Sequence, residues 1–138
     1  MMTDKRARSF VTIMVVIALS AFILRFSIDR LIKISIARNE SEAQGALKLI
    51  SAALENYAKD NHGVYPLSLA ALREPRPPYL DKDYLKNSAL KGYSLSCSRL
   101  EPSGYSCAAS PSACRLTGKA IYSVTTGSLL LSEECEKK

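Results

Sequence analysis

Histidine is almost absent from this chain, and the residue patterns of common catalytic sites are absent with it. His62 is the only histidine, and no cysteine precedes Cys97. The sequence therefore offers few residues that could form a catalytic dyad of a histidine and a nucleophile. No G-x-S-x-G motif and no phosphate-binding glycine pattern occurs in the sequence. We expect that the protein is not an enzyme and uses no cofactor, and that His62 caps a helix or faces solvent.

The four cysteines lie in the last third of the chain, at positions Cys97, Cys107, Cys114 and Cys135. They lack the C-x-x-C spacing and the neighbouring histidine that are typical of zinc sites, so we expect no metal. An even number of cysteines in a small domain indicates two disulfides and an oxidising compartment. Three pairings are possible. We favour Cys97 with Cys107 and Cys114 with Cys135, because this pairing closes two short consecutive loops.

Helix-breaking residues are scarce in the first sixty positions. No proline precedes Pro66, and Gly45 is the only glycine before Gly63. This favours one helix from residue 10 to about residue 61, ended by a left-handed glycine at position 63. The alternative is a pair of helices with a break within residues 38–45, where residues 39–41 (Asn-Glu-Ser) could begin a new helix.

The first part of this helix is suited to a membrane. Residues 1–9 form a polar, basic leader, and residues 10–24 form an uncharged, strongly apolar run. Fifteen helical residues cover roughly 22 Å of a hydrocarbon core about 30 Å thick. Arg25 could extend the inserted length by placing its guanidinium among the head groups. We therefore assign residues 10–36 to a membrane-embedded and membrane-proximal helix.

The second part of the helix, residues 37–62, is predicted to be amphipathic. Its apolar residues recur in steps of three and one, which places them on one face. This packing stripe comprises Ala43, Ala46, Leu47, Ile50, Ala53, Leu54 and Tyr57. Ser51 and Glu55 lie off the stripe, and we expect them on the wet face.

Positive charge is concentrated near the predicted membrane segment. The net charge of the chain is +6. Residues 1–38 carry seven Lys or Arg against two Asp, whereas residues 39–138 carry twelve against eleven acidic residues. This distribution favours anionic lipid head groups as a partner and argues against nucleic acid, which needs a basic face on a folded domain.

The remainder of the chain is predicted to form a small sheet. Residues 63–91 hold several prolines and are expected to form a loop region that covers the helix. Residues 92–138 contain four short segments of strand character, separated by turn residues such as Pro102-Ser103-Gly104 and Thr126-Gly127. Residues 37–138 would then form one disulfide-linked α+β domain, in which about four antiparallel strands pack on the amphipathic helix.

The order of these segments resembles a known superfamily. The basic leader, the Phe-initiated run with MVVIA, the segment ALKLISAALENYAKDNHGVYP and the later GYSCAASP together look like type IV pilins and type II secretion pseudopilins. The resemblance covers nearly the whole chain, and it depends on order and spacing. It implies a structural subunit, or a minor or assembly component, of a type IV pilus or a secretion pseudopilus.

The same resemblance implies partners and a location. Other pilin or pseudopilin subunits would pack against the N-terminal helix, and prepilin peptidase is a further candidate partner. The protein would cross the bacterial inner membrane once, with the C-terminal domain in the periplasm, and could leave the membrane for a filament.

The processing site departs from the pattern of the family. Prepilin peptidase normally cuts between a glycine and a phenylalanine, and a glutamate occupies the fifth mature position. Here Phe10 would be the first mature residue, Ser9 replaces the glycine, and Met14 stands in place of the glutamate. Aligning on MVVIA instead puts Thr12 at the glutamate position, which also lacks the carboxylate.

Two other functions fit the sequence. In one, residues 10–24 belong to an ordinary signal peptide cut near Ala21, and the product is a small secreted, disulfide-linked binding module. In the other, the chain is a permanent single-pass adaptor that does not polymerise.

Overall fold

The computed structural model describes residues 2–86 and 90–136, with side chains from residue 5 onward. These residues form one long helix, α1 (Met2–Asp60), a short 3₁₀ helix (Leu69–Leu72), and four strands, β1 (Tyr93–Glu101), β2 (Gly104–Pro111), β3 (Ala120–Thr125) and β4 (Leu129–Glu134). The helix followed by an antiparallel sheet confirms the predicted α+β class. The chain divides into two compact units, Met1–Ile34 and Ser35–Lys138.

Helix α1 begins earlier than predicted and does not break. It starts at Met2, so residues 2–9 of the basic leader are part of the helix. The alternative of two helices separated within residues 38–45 is wrong. The polar residues suggested as a new helix start bond to a distant loop instead: Asn39 Nδ2 donates to Thr117 O at 2.9 Å, and Glu40 Oε1 accepts from Lys119 N at 2.8 Å.

The end of α1 follows the expected stop signal. Gly63 N donates to Ala58 O at 2.7 Å, and both His62 and Gly63 have positive φ, at 58° and 82°. This is the left-handed geometry in which glycine closes a helix without steric cost. His62 is solvent-exposed.

The sheet is a simple antiparallel meander in the order β1-β2-β3-β4. Alternate residues point to its inner face, where Tyr93 and Leu95 of β1, Tyr105 of β2 and Tyr122 and Val124 of β3 are buried. The predicted packing stripe of α1 lies against them: Ala43, Ala46, Leu47, Ile50, Ala53 and Leu54 are each at most 4% exposed. Tyr57 is half-buried at the edge of the same cluster.

The loop region after α1 completes the core. Leu69 and Leu72 of the 3₁₀ helix and Leu80 beyond it are buried in the same hydrophobic cluster as the packing stripe. The part of the loop region that holds these leucines therefore packs on the helix. Residues 87–89 of the predicted loop region lie outside the described residues.

The two disulfides have the pairing favoured from the sequence, which closes two consecutive loops. Cys97 and Cys107 are directly opposite in the register of β1 and β2, with their Cα atoms 3.9 Å apart. Cys114, in the loop after β2, is bonded to Cys135, which follows β4, and the Cα atoms are 5.8 Å apart. The first bond joins β1 to β2, and the second joins the loop between β2 and β3 to the residue after β4.

Candidate functional site

The first unit presents a long apolar surface. The large hydrophobic side chains of α1 between Phe10 and Ile34 are each 50–67% exposed, apart from Ile32, which is partly buried. This helix is long and apolar enough to cross a membrane by its length and composition. Exposed apolar area on this scale marks an interaction surface rather than ordinary protein surface.

The few hydroxyls within this apolar stretch are satisfied by the helix itself. Thr12, Ser20 and Ser27 each donate a hydrogen bond to the backbone carbonyl four residues earlier, at 2.8, 2.7 and 2.9 Å. A donor without a partner would be costly in hydrocarbon. Because these donors are already paired, the stretch is compatible with lipid as well as with a neighbouring helix.

The residues of the predicted processing site lie on this same helix. Ser9, Phe10 and Met14 are all within α1, and Phe10 and Met14 are 64% and 56% exposed. The side chains remain accessible on the surface of the first unit.

A polar cluster in the second unit joins α1 to the sheet. Glu55 Oε1 accepts hydrogen bonds from Gly127 N at 2.7 Å and from the Tyr105 hydroxyl at 3.0 Å, and Oε2 accepts from the Tyr65 hydroxyl at 2.9 Å. Ser51 Oγ lies 2.9 Å from the Tyr105 hydroxyl. The cluster therefore holds the helix, the loop after it and the turn between β3 and β4 in one arrangement.

Burial and the neighbouring carboxylate keep the tyrosines of this cluster protonated. Burial, followed by the hydrogen bond to Glu55, raises the pKa of Tyr65 to about 12. Burial also raises the pKa of Tyr105. A neutral phenol can donate to the carboxylate, whereas a phenolate would repel it. The geometry is that of a structural clamp, and it contains no nucleophile paired with a base.

The prediction that Ser51 and Glu55 face solvent is wrong. Ser51 is 2% exposed, and Glu55 is half-buried. The two residues are four positions apart beside the packing stripe, so they share a face that borders the core. In the sequence, this placement is indicated by the spacing of the two residues and by tyrosines that, once buried, need partners for their hydroxyls.

Among residues 2–86 and 90–136, no group of three or more His, Cys, Asp or Glu side chains is placed to hold a metal ion. The comparisons with known proteins add no assignment: no family model, curated protein or solved structure matches this chain.

Proposed function

We propose that the protein is a membrane-anchored, pilin-like structural subunit, or a minor or assembly component, of a type IV pilus or a type II secretion pseudopilus. One observation carries the proposal. A single uninterrupted helix presents exposed apolar side chains over residues 10–34, and its residues 43–57 contribute one side of the core of the second unit. This division of one helix between an unpartnered apolar part and a part packed on a sheet is suited to a subunit that assembles through its helix.

The apolar stretch would have two environments in this proposal. Before assembly, residues 10–24 cross the inner membrane, where the helix satisfies all its backbone polar groups internally. In a filament, the same side chains pack against the helices of neighbouring subunits, which provide a similarly apolar surrounding. The two disulfides support an oxidising location for the second unit, and hence the periplasmic side.

A second candidate function is a permanent single-pass anchor for a small periplasmic binding module. It is favoured by the residues at the processing site, because Ser9 replaces the glycine and Met14 replaces the glutamate of the family pattern. In the family, that glutamate offsets the N-terminal ammonium of a neighbour within the apolar filament core, where an unpaired charge is costly. A subunit without it would suit a filament tip or no filament at all.

Site-specific photo-crosslinking in membranes of the producing cells separates the two functions. A benzophenone amino acid would replace Leu24, which is 63% exposed on α1, and in a matched control it would replace Leu67, which is 74% exposed in the loop region. Assembly through the helix predicts a ladder of oligomers of this chain from position 24 and none from position 67. A single band at the monomer mass from both positions would refute assembly.

The mass of the exported protein tests the remaining alternative. A chain that begins at Phe10 supports prepilin processing, and an intact chain that begins at Met1 supports the permanent anchor. A chain that begins near Phe22 would show that residues 10–21 are part of a cleaved signal peptide, which would overturn both membrane-anchored functions.

A further inference from the structure

Positive charge brackets the uncharged residues 10–24 of α1 at both ends. Arg8 is the last charged residue before them and Arg25 is the first after them. Seventeen helical steps separate these residues, which corresponds to about 26 Å along the helix axis. This is close to the thickness of a hydrocarbon core. In a helix that crosses the membrane, the two arginines therefore reach head groups of opposite leaflets.

The helix is amphipathic where it would leave the second leaflet. Leu24, Ile28 and Leu31 follow one another at steps of four and three and are 54–66% exposed, so they form an apolar stripe on one side. Successive residues are turned by about 100° around the helix axis. Arg25 therefore lies about 100° from Leu24 and Lys33 about 180° from it, so both project away from the stripe. The stripe can contact a neighbouring helix or the acyl chains next to the head groups, and the cations on the other sides of the helix can contact phosphates.

Within the described residues, no carboxylate forms an ion pair with the cations of this segment. Asp29 lies four residues from both Arg25 and Lys33, yet neither is within 4.0 Å of a carboxylate oxygen, and the same is true of Arg30. By contrast, Arg38 forms an ion pair with the carboxylate four residues further on, at 3.2 Å. Arg25, Arg30 and Lys33 therefore keep their hydrogen-bond donors available.

We propose that Arg25, Arg30 and Lys33, which we call the cationic collar, bind the phosphate groups of anionic phospholipids in the leaflet next to the second unit. Two guanidinium groups supply paired donors that match phosphate oxygens, and an ammonium supplies a further point charge. With Asp29 included, the segment keeps a net charge of +2. The inference rests on the proposed membrane insertion of residues 10–24, and it adds a selected lipid class to it.

The test uses the full chain reconstituted into vesicles of equal phosphatidylglycerol and phosphatidylcholine. The lipids that the protein retains after release into mild detergent are counted by native mass spectrometry. Each cation near a membrane surface changes the preference for anionic lipid by roughly fivefold at low salt. Because the leader cations remain, we expect the combined change Arg25→Gln, Arg30→Gln and Lys33→Gln to lower the ratio of retained phosphatidylglycerol to phosphatidylcholine at least about threefold.

The matched control removes the same number of charges from the second unit. Lys48, Lys82 and Lys91 are exposed, and their replacement by Gln should leave the lipid ratio unchanged. An unchanged ratio in the collar variant, or an equal fall in both variants, would overturn the proposal. Displacement of the retained lipid by soluble glycerol phosphate would also overturn it, because the ligand would then be a free phosphate rather than a lipid.

Insertion itself is measured separately by extraction of the vesicles with alkaline carbonate. Wild-type protein that stays with the vesicles but shows no preference for phosphatidylglycerol refutes only the collar. Protein that is extracted refutes the membrane anchor and therefore the proposed function as well.

Discussion

Replacement of Glu55 should destabilise the second unit more than replacement of an exposed glutamate on the same helix would. The carboxylate of Glu55 accepts hydrogen bonds from the hydroxyls of Tyr65 and Tyr105 and from the backbone N–H of Gly127. In the Glu55→Ala variant all three donors lose this acceptor. Tyr105 keeps a contact with Ser51, so the cost falls mainly on the other two donors and on the lost packing of the glutamate stem.

The size of the effect follows from how far water can replace the carboxylate. A hydrogen bond to a charged group contributes about 1.5–3 kcal/mol. The Gly127 N–H is exposed and Tyr65 is only half-buried, so water recovers part of each bond. We expect a loss of about 2–3 kcal/mol for Glu55→Ala, and about 1 kcal/mol for Glu55→Gln, which keeps one acceptor oxygen. For a unit of about one hundred residues, the loss of about 2–3 kcal/mol lowers the melting temperature by about 10–20 °C.

Thermal unfolding of the full chain in mild detergent, followed by the near-ultraviolet circular dichroism of the tyrosines, measures this loss. The matched control is Glu42→Ala on the same helix. Glu42 pairs with Arg38 in an exposed i,i+4 ion pair, and such pairs contribute about 0.3–0.5 kcal/mol. A Glu55→Ala variant that melts within a degree or two of Glu42→Ala would refute the reasoning that the cluster clamps helix to sheet.

Three further predictions follow from other parts of the chain. Replacing Cys114 and Cys135 with serine opens a loop of sequence separation 21. This should lower the free energy of unfolding, measured with denaturant, by about 3 kcal/mol. An unchanged denaturant midpoint would argue against this bond. Burial raises the pKa of Tyr93 to about 12, so its contribution to stability is complete below pH 10 and is lost as the pH rises through 12. The Tyr93→Phe variant should show a stability profile over this range that is flatter by up to about 1.4 kcal/mol per pH unit, and an equally steep profile would exclude this role. In cells with prepilin peptidase, Ser9→Gly should raise the fraction of chains that begin at Phe10, as measured by intact mass, and no rise would count against a prepilin leader.

The sequence predicted the secondary structure well because the signals are local. The absence of proline before Pro66 and the helix stop at residues 61–63 bound α1 to within a few residues of its observed end. The turn residues between the strand-like segments predicted about four strands within residues 92–138, and the sheet within the described residues has four. Local signals failed at residues 38–45, where Asn39 and Glu40 resembled the start of a new helix.

By itself, then, the sequence favoured one long helix over two, and it determined the apolar and amphipathic parts of that helix and about four strands. Each of these follows from residues within a few turns or one hairpin of one another. Only the tertiary structure decided the roles of the polar residues on α1, because their partners are remote in the chain: Asn39 meets Thr117 across 78 residues, and Glu55 meets Gly127 across 72. Spacing favoured one cysteine pairing without excluding the other two. The register of β1 with β2 decided it by placing Cys97 directly opposite Cys107.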